Sequence, residues 1–262
     1  MARMRNLEEA YRLIRESPHH ATVESWTSIM NLYTELGHSF SALSVFREMQ
    51  EEGMVNPSKD TFLCVLKVCA RLGSLEKAHN IHDSILRNGF ELDPRIRSSL
   101  VYLYAKCHSL VDAQKVFDGL NGDDVAAWNA LIGGYAQHGH LNVALEFYQK
   151  SVHVGIVPNK VTFLYIIKVC SLIGAFPEGR IIHDHICQCG MEGDLKLGSS
   201  LVDFYAKCGS LSEASHVFDH LPRKNVVSWD AIISGYAQHG QASHAFEAFH
   251  EMQKNGVKPI KM

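Results

Sequence analysis

Between residues 125 and 159 the apolar positions trace the face of a helix twice. Trp128, Leu131, Ile132 and Tyr135 fall at i, i+3, i+4 and i+7, which predicts one amphipathic helix. Gly139 interrupts the pattern, and Leu141, Ala144, Leu145 and Tyr148 draw the same stripe on a second helix. Gly155 and Pro158, within the segment VGIVPN, then stop it. The unit read here is a pair of short helices joined by a tight turn.

The pattern recurs with its residues nearly intact. GYAQHG stands at 134–139 and again at 235–240, and SSLVYLYAKCHSL at 98–110 returns as SSLVDFYAKCGSL at 199–211. VFDGL at 116–120 returns as VFDHL at 217–221, KVC ends at Cys69 and at Cys170, and the three tryptophans are Trp26, Trp128 and Trp229. The long unit divides into portions of two 35-residue lengths and one 31-residue length. They are 23–58, 59–93, 94–124, 125–159, 160–194, 195–225 and 226–260. Before them, NLEEAYRLIRE reads as the second helix of a partial short portion within 1–22. The C-terminus arrives where another portion would open, so the chain reads as a window on a longer array.

A helix pair this short cannot bury its stripe alone, so the pairs must stack on their neighbours into a superhelix of either hand. The expectation is an all-α, α-solenoid fold with exposed apolar end faces, and hence self-association of this stretch. The 262 residues are 46% hydrophobic, and 25 Lys and Arg against 28 Asp and Glu leave a net charge of −3, so no overall basic field announces a polyanionic partner. Seven cysteines, an odd number without the spacing of a disulfide framework, point to a reducing compartment. No apolar run reaches the roughly 18 residues of a membrane span, and MARMRN is too short for a transit peptide.

The alternation of 35, 35 and 31 residues, with WNALIGGYAQHG, ALEFY and GIVPN, resembles the pentatricopeptide repeat proteins, and within them the plant subclass of alternating P, L and S repeats. The likeness runs from about Leu7 to Pro259. Tetratricopeptide arrays, with a uniform period of about 34 residues, do not fit. On this resemblance 23–58, 125–159 and 226–260 are P repeats, 59–93 and 160–194 are L repeats, and 94–124, 195–225 and the partial 1–22 are S repeats. The resemblance implies a right-handed superhelix that reads single-stranded RNA, one base per repeat.

In that family the base is chosen by the fifth residue of a repeat together with its last. Carried over, Ser98 with Asp124 is a guanine-type pair and Ser199 with Asn225 an adenine-type pair. Asn129 with Asn159 is pyrimidine-type, favouring cytosine, and Thr27 with Ser58 leans to a purine, its register shifted by one extra residue near GMVNPS. The chemistry is hydrogen-bond matching: Asp only accepts, whereas Asn both donates and accepts. The two L repeats depart from the pattern, pairing Leu63 with Asp93 and Leu164 with Asp194, and leucine offers a base edge nothing. They space the RNA rather than read it. Asp230 with Ile260 is left without a base. The predicted register, 5′ to 3′, is purine, any, G, pyrimidine, any, A, any. Val161 and Val227 occupy the place where the family sandwiches bases with a small aliphatic residue, but Glu24 and Ala126 stand there in other repeats. Lys106 and Lys207, in YAKC, and Arg71 are the candidate phosphate contacts. From the residues alone, the serines, asparagines and aspartates are equally ordinary helix caps.

The segment HDHICQC holds His183, His185, Cys187 and Cys189, but its two i, i+4 pairs face about 200° apart and cannot close one tetrahedral site. Cys69, Cys107, Cys170 and Cys208 recur with the repeats and are expected in helix packing. The zinc signature of a deaminase is absent, as are a phosphate-cradling loop and a nucleophile elbow. The chain is therefore expected to be no enzyme and to need no cofactor or metal. The resemblance implies the RNA-recognition tract of a mitochondrial or chloroplast processing factor, C-to-U editing in particular, with other editing or processing proteins as partners. The alternative from charge and scarce lysine is a protein-interaction solenoid.

Overall fold

A computed structural model describes residues 2–16, 21–51, 55–120 and 124–259, with side chains from residue 7 onward. Among the described residues every regular element is an α-helix, and the chain divides into two compact units, Met1–Gly134 and Tyr135–Met262.

The first unit contains α1 (Ala2–Glu16), α2 (Val23–Glu35), α3 (Ser39–Glu51), α4 (Lys59–Leu72), α5 (Leu75–Arg87), α6 (Pro94–Lys106), α7 (Leu110–Asp118) and the residues of α8 (Val125–Gln137) through Gly134. α1 begins at Ala2, four residues before the expected start. Nothing in ARMR stops a helix, and alanine, arginine and methionine all favour one. The odd-numbered α3, α5 and α7 are second helices, and the first helices stack in the order α2, α4, α6. Helix starts are set by caps. The Thr22 hydroxyl accepts from the Ser25 amide, Ser58 and Thr61 form a reciprocal capping box, and Asp93 caps α6 with Pro94 at its first position. Trp26, Met30, Phe62 and Leu100 are almost wholly buried along the seam, and Trp128 meets Phe117 edge-on at 4.7 Å.

The second unit contains α9 (Leu141–His153), α10 (Lys160–Ile173), α11 (Phe176–Gln188), α12 (Leu195–Lys207), α13 (Leu211–Asp219), α14 (Val226–Gln238) and α15 (Ala242–Lys254). Here α10, α12 and α14 stack as first helices. Asn159, Asp194 and Asn225 cap them. Phe163, Phe204 and Trp229 fill the seam, and Trp229 meets Phe218 at 4.7 Å, as Trp128 meets Phe117.

The recurring hexapeptide has a packing cause at each end. A Cβ on Gly134 would lie 2.8 Å from the Ala105 Cβ, and one on Gly235 2.6 Å from the Ala206 Cβ. Only glycine lets α8 approach α6, and α14 approach α12, this closely. The closing residues Gly139 and Gly240 take φ of 81° and 73° and turn the chain out of the helix. At the corresponding turn after α12 stands Gly209 (φ 78°), but after α6 His108 holds the same left-handed conformation with φ 63°.

Cys69, Cys107 and Cys170 are buried, and burial pushes the thiols of Cys69 and Cys170 up to about 12. Cys208 departs from the expectation of burial: it caps the end of α12 and is partly exposed. Among the described residues no helix is long and apolar enough to cross a membrane.

Candidate nucleic-acid interface

The fifth residue of a repeat lies one turn into its first helix, and the last residue caps the next first helix, so stacking decides whether they meet. In the first unit the Ser98 hydroxyl donates to the Pro94 carbonyl at 2.6 Å and also reaches Asp124 Oδ2. Asp124 Oδ1 meanwhile accepts from the Ala126 amide at 2.8 Å. In the second unit the Ser199 hydroxyl donates to the Leu195 carbonyl at 2.7 Å and approaches Asn225 Oδ1 at 3.5 Å, and that oxygen caps Ser228. The structure thus brings together both pairs of the short repeats. The cap explains half of each contact, and the serine explains why the capping side chain is held against the neighbouring helix.

Thr27 and Ser58 meet through an intermediary. The Thr27 and Thr61 hydroxyls lie 2.7 Å apart, and Thr61 lies 3.0 Å from the Ser58 hydroxyl. Asn159 caps α10 through the Val161 amide at 2.9 Å and is exposed, while Asn129 is half-buried. Ile260 lies outside the described residues, as do residues 52–54 beside the extra position near GMVNPS. Asp230 is half-buried on α14.

Each short-repeat pair lines a groove. The first, about 480 Å³, is walled by Leu63, Lys67, Arg95, Ser98, Tyr102, Asp124 and Ala126. The second, about 690 Å³, is walled by Leu164, Lys196, Ser199, Asp203, Asn225, Val227 and Asp230. Val227 and Val161 are 54% and 48% exposed. Arg95 and Lys196, second residues of the two short repeats, were not singled out by the sequence. Their 101-residue spacing was the available signal, and its meaning depends on knowing that the second position faces a groove.

The cations chosen from the sequence are engaged differently. Lys207 pairs with Asp203 at 2.7 Å, the Lys106 ammonium lies 5.6 Å from the Tyr102 ring centroid, and Arg71 donates at 2.5 Å to the Thr34 carbonyl at the end of α2. In the L repeats, Leu63 and Leu164 make no polar pair with Asp93 and Asp194. Each aspartate uses Oδ1 to cap the next helix and Oδ2 to bind the lysine that opens its own repeat, Lys59 or Lys160, at 2.5 Å. Partial burial opposes their charge, but the lysine and the capping amides outweigh it, and both carboxyls sit below the usual carboxylate range.

Three histidines pack against tyrosines. His183 and His82 meet the hydroxyls of Tyr205 and Tyr104 at 2.9 and 2.8 Å, and His185 meets Tyr148 at 3.0 Å. Among the described residues no group of three His, Cys, Asp or Glu side chains is placed to hold a metal ion.

The sequence and the fold both have counterparts among known proteins. A model described as "PPR repeat family" matches residues 123–171 and 224–259, and one described as "PPR repeat" matches 24–54, 60–90 and 199–226. A pentatricopeptide repeat-containing protein of Arabidopsis thaliana is 36% identical over 254 residues, covering 97% of this chain and 35% of that protein. A chloroplastic relative from the same plant is 35% identical over 90% of this chain and 43% of its own length. A putative mitochondrial one is 34% identical over 97% of this chain and 40% of its own. The chain therefore spans between a third and a half of these relatives. In structure it resembles the pentatricopeptide repeat protein PPR10 in complex with an 18-nucleotide psaJ RNA element, with a TM-score of 0.80 at 22% identity over 97% of this chain and 38% of that one. The fold is that α-solenoid of helix-turn-helix repeats.

Proposed function

Because the chain belongs to the pentatricopeptide repeat family, we propose that it binds single-stranded RNA in a chosen sequence, one nucleotide to a repeat. The observation that carries this reading is the contact of Ser98 with Asp124 and of Ser199 with Asn225 along the walls of two equivalent grooves. A carboxylate that only accepts suits guanine, whose Watson–Crick edge presents N–H donors. An amide beside a hydroxyl suits the mixed edge of adenine. Thr27 with Ser58 and Asn129 with Asn159 read a purine and a pyrimidine, and Leu63 and Leu164 leave their nucleotides unread. Arg95 and Lys196 join Lys106, Lys207 and Arg71 as phosphate contacts.

The biological role proposed for this tract is recognition of a mitochondrial or chloroplast transcript for processing, C-to-U editing in particular, alongside other processing proteins. The chloroplastic and mitochondrial relatives support the compartment, and the alternation of 35- and 31-residue repeats supports the P, L and S typing.

A gel shift with RNA of the predicted register, beside the same RNA with its G and A exchanged, tests the binding at two salt concentrations. Tighter binding of the first, weakening as salt rises, is the expected result. Equal binding of both would overturn the base assignments, and no binding at low salt would overturn the RNA reading in favour of a protein-interaction surface.

A further inference from the structure

Four last residues stand at comparable places on the two stacks, and they fall into two classes. Asp124 and Asn225 touch the neutral hydroxyls of Ser98 and Ser199 and line the grooves. Asp93 and Asp194 instead give their second oxygen to an ammonium at 2.5 Å, and their fifth-residue neighbours are leucines. A hydroxyl leaves a carboxylate its charge and can yield to an incoming N–H donor. A lysine cancels that charge and occupies the oxygen that does not cap. The arrangement occurs once in each unit, with the same atoms at the same distance.

We propose that Lys59 and Lys160 are specificity-determining residues that withdraw Asp93 and Asp194 from base recognition, so that the nucleotides facing repeats 59–93 and 160–194 pass unselected. This rests on the RNA reading above. Without the lysine, the aspartate would present a bare acceptor to the base. Guanine and uracil, which carry an imino N–H, would then be favoured over adenine and cytosine, which carry an acceptor there. The lysines are 36% and 42% exposed, so the pair is held by geometry rather than deep burial and the stem tolerates replacement.

The test is fluorescence anisotropy on four RNAs of the predicted register that differ only at the fifth nucleotide, with helicity checked by circular dichroism. The original chain and Lys160→Arg bind all four within about twofold, whereas Lys160→Met binds the G and U forms about fivefold more tightly than the A and C forms, the worth of one net hydrogen bond. Adding Asp194→Asn to Lys160→Met abolishes or reverses that preference. Lys59→Met gives the same result at the second nucleotide and is an independent check in the other unit. Indifference of Lys160→Met and Lys59→Met on RNAs that the original chain binds would overturn the inference alone, as would a G and U preference already present in the original chain. Failure of the original chain to bind any of the RNAs would overturn the RNA reading and the inference with it.

Discussion

The two grooves are built by one scaffold and differ in charge. The first sets Lys67 and Arg95 against a single carboxylate, Asp124, while the second sets Lys196 against Asp203 and Asp230. At one position the first places Tyr102, under the Lys106 ammonium, where the second places Asp203, which pairs with Lys207. The serine and the capping residue are kept in both. Under the proposed RNA reading, the difference teaches a division of labour: stacking would fix where a base edge meets the protein, and the residues around that point would set how strongly the phosphates are held.

If both grooves depend on the close helix approach at the recurring glycine, Gly134→Ala and Gly235→Ala each lower stability by about 1–3 kcal/mol by overpacking against Ala105 and Ala206. Thermal unfolding measures this, and Ala206→Gly should restore part of the loss in Gly235→Ala; full tolerance of either alanine would break the shared-scaffold account. Next in size, Arg95→Gln weakens RNA binding about fivefold and lowers the slope of log affinity on log salt by roughly 0.7, the single-strand value per phosphate. Lys196→Gln, in the more acidic groove, costs less. Equal losses would remove the charge contrast. Asp203→Tyr makes the second groove resemble the first and strengthens binding about threefold at low salt, the gain vanishing as salt rises. The effect at the turn falls on stability rather than binding: Gly209→Ala places a side chain where φ is 78° and lowers stability by about 0.5–1 kcal/mol, read as a fall in melting temperature.

The helix pairs were legible because the stripe of Trp128, Leu131, Ile132 and Tyr135 and the break at Gly139 are local signals, and the fold class follows from their recurrence. The fifth and last residues were legible only through the family resemblance, since Asp124 and Asn225 are also plain helix caps. What the sequence did not disclose are partnerships made by stacking. Lys59 and Asp93 are 34 residues apart, and nothing local distinguishes a lysine that binds a cap from one in solvent. Arg95 and Lys196 face grooves only because each first helix presents its second residue to the stack. Lys207 and Asp203, by contrast, stand at i and i−4 on α12, a local pairing that the sequence itself carries.

The central claim is that the side chain capping the next helix, held beside the fifth residue, chooses the base. Asp124→Asn tests it most directly, because it gives the first groove the donor set of the second while Ser98 and the cap remain. Affinities are measured for two RNAs that carry G or A at the third nucleotide and are otherwise identical. The account predicts that the original chain prefers G, that the variant prefers A, each by about tenfold, and that the choice at the sixth nucleotide is unchanged. The same third-nucleotide preference in both proteins would contradict it.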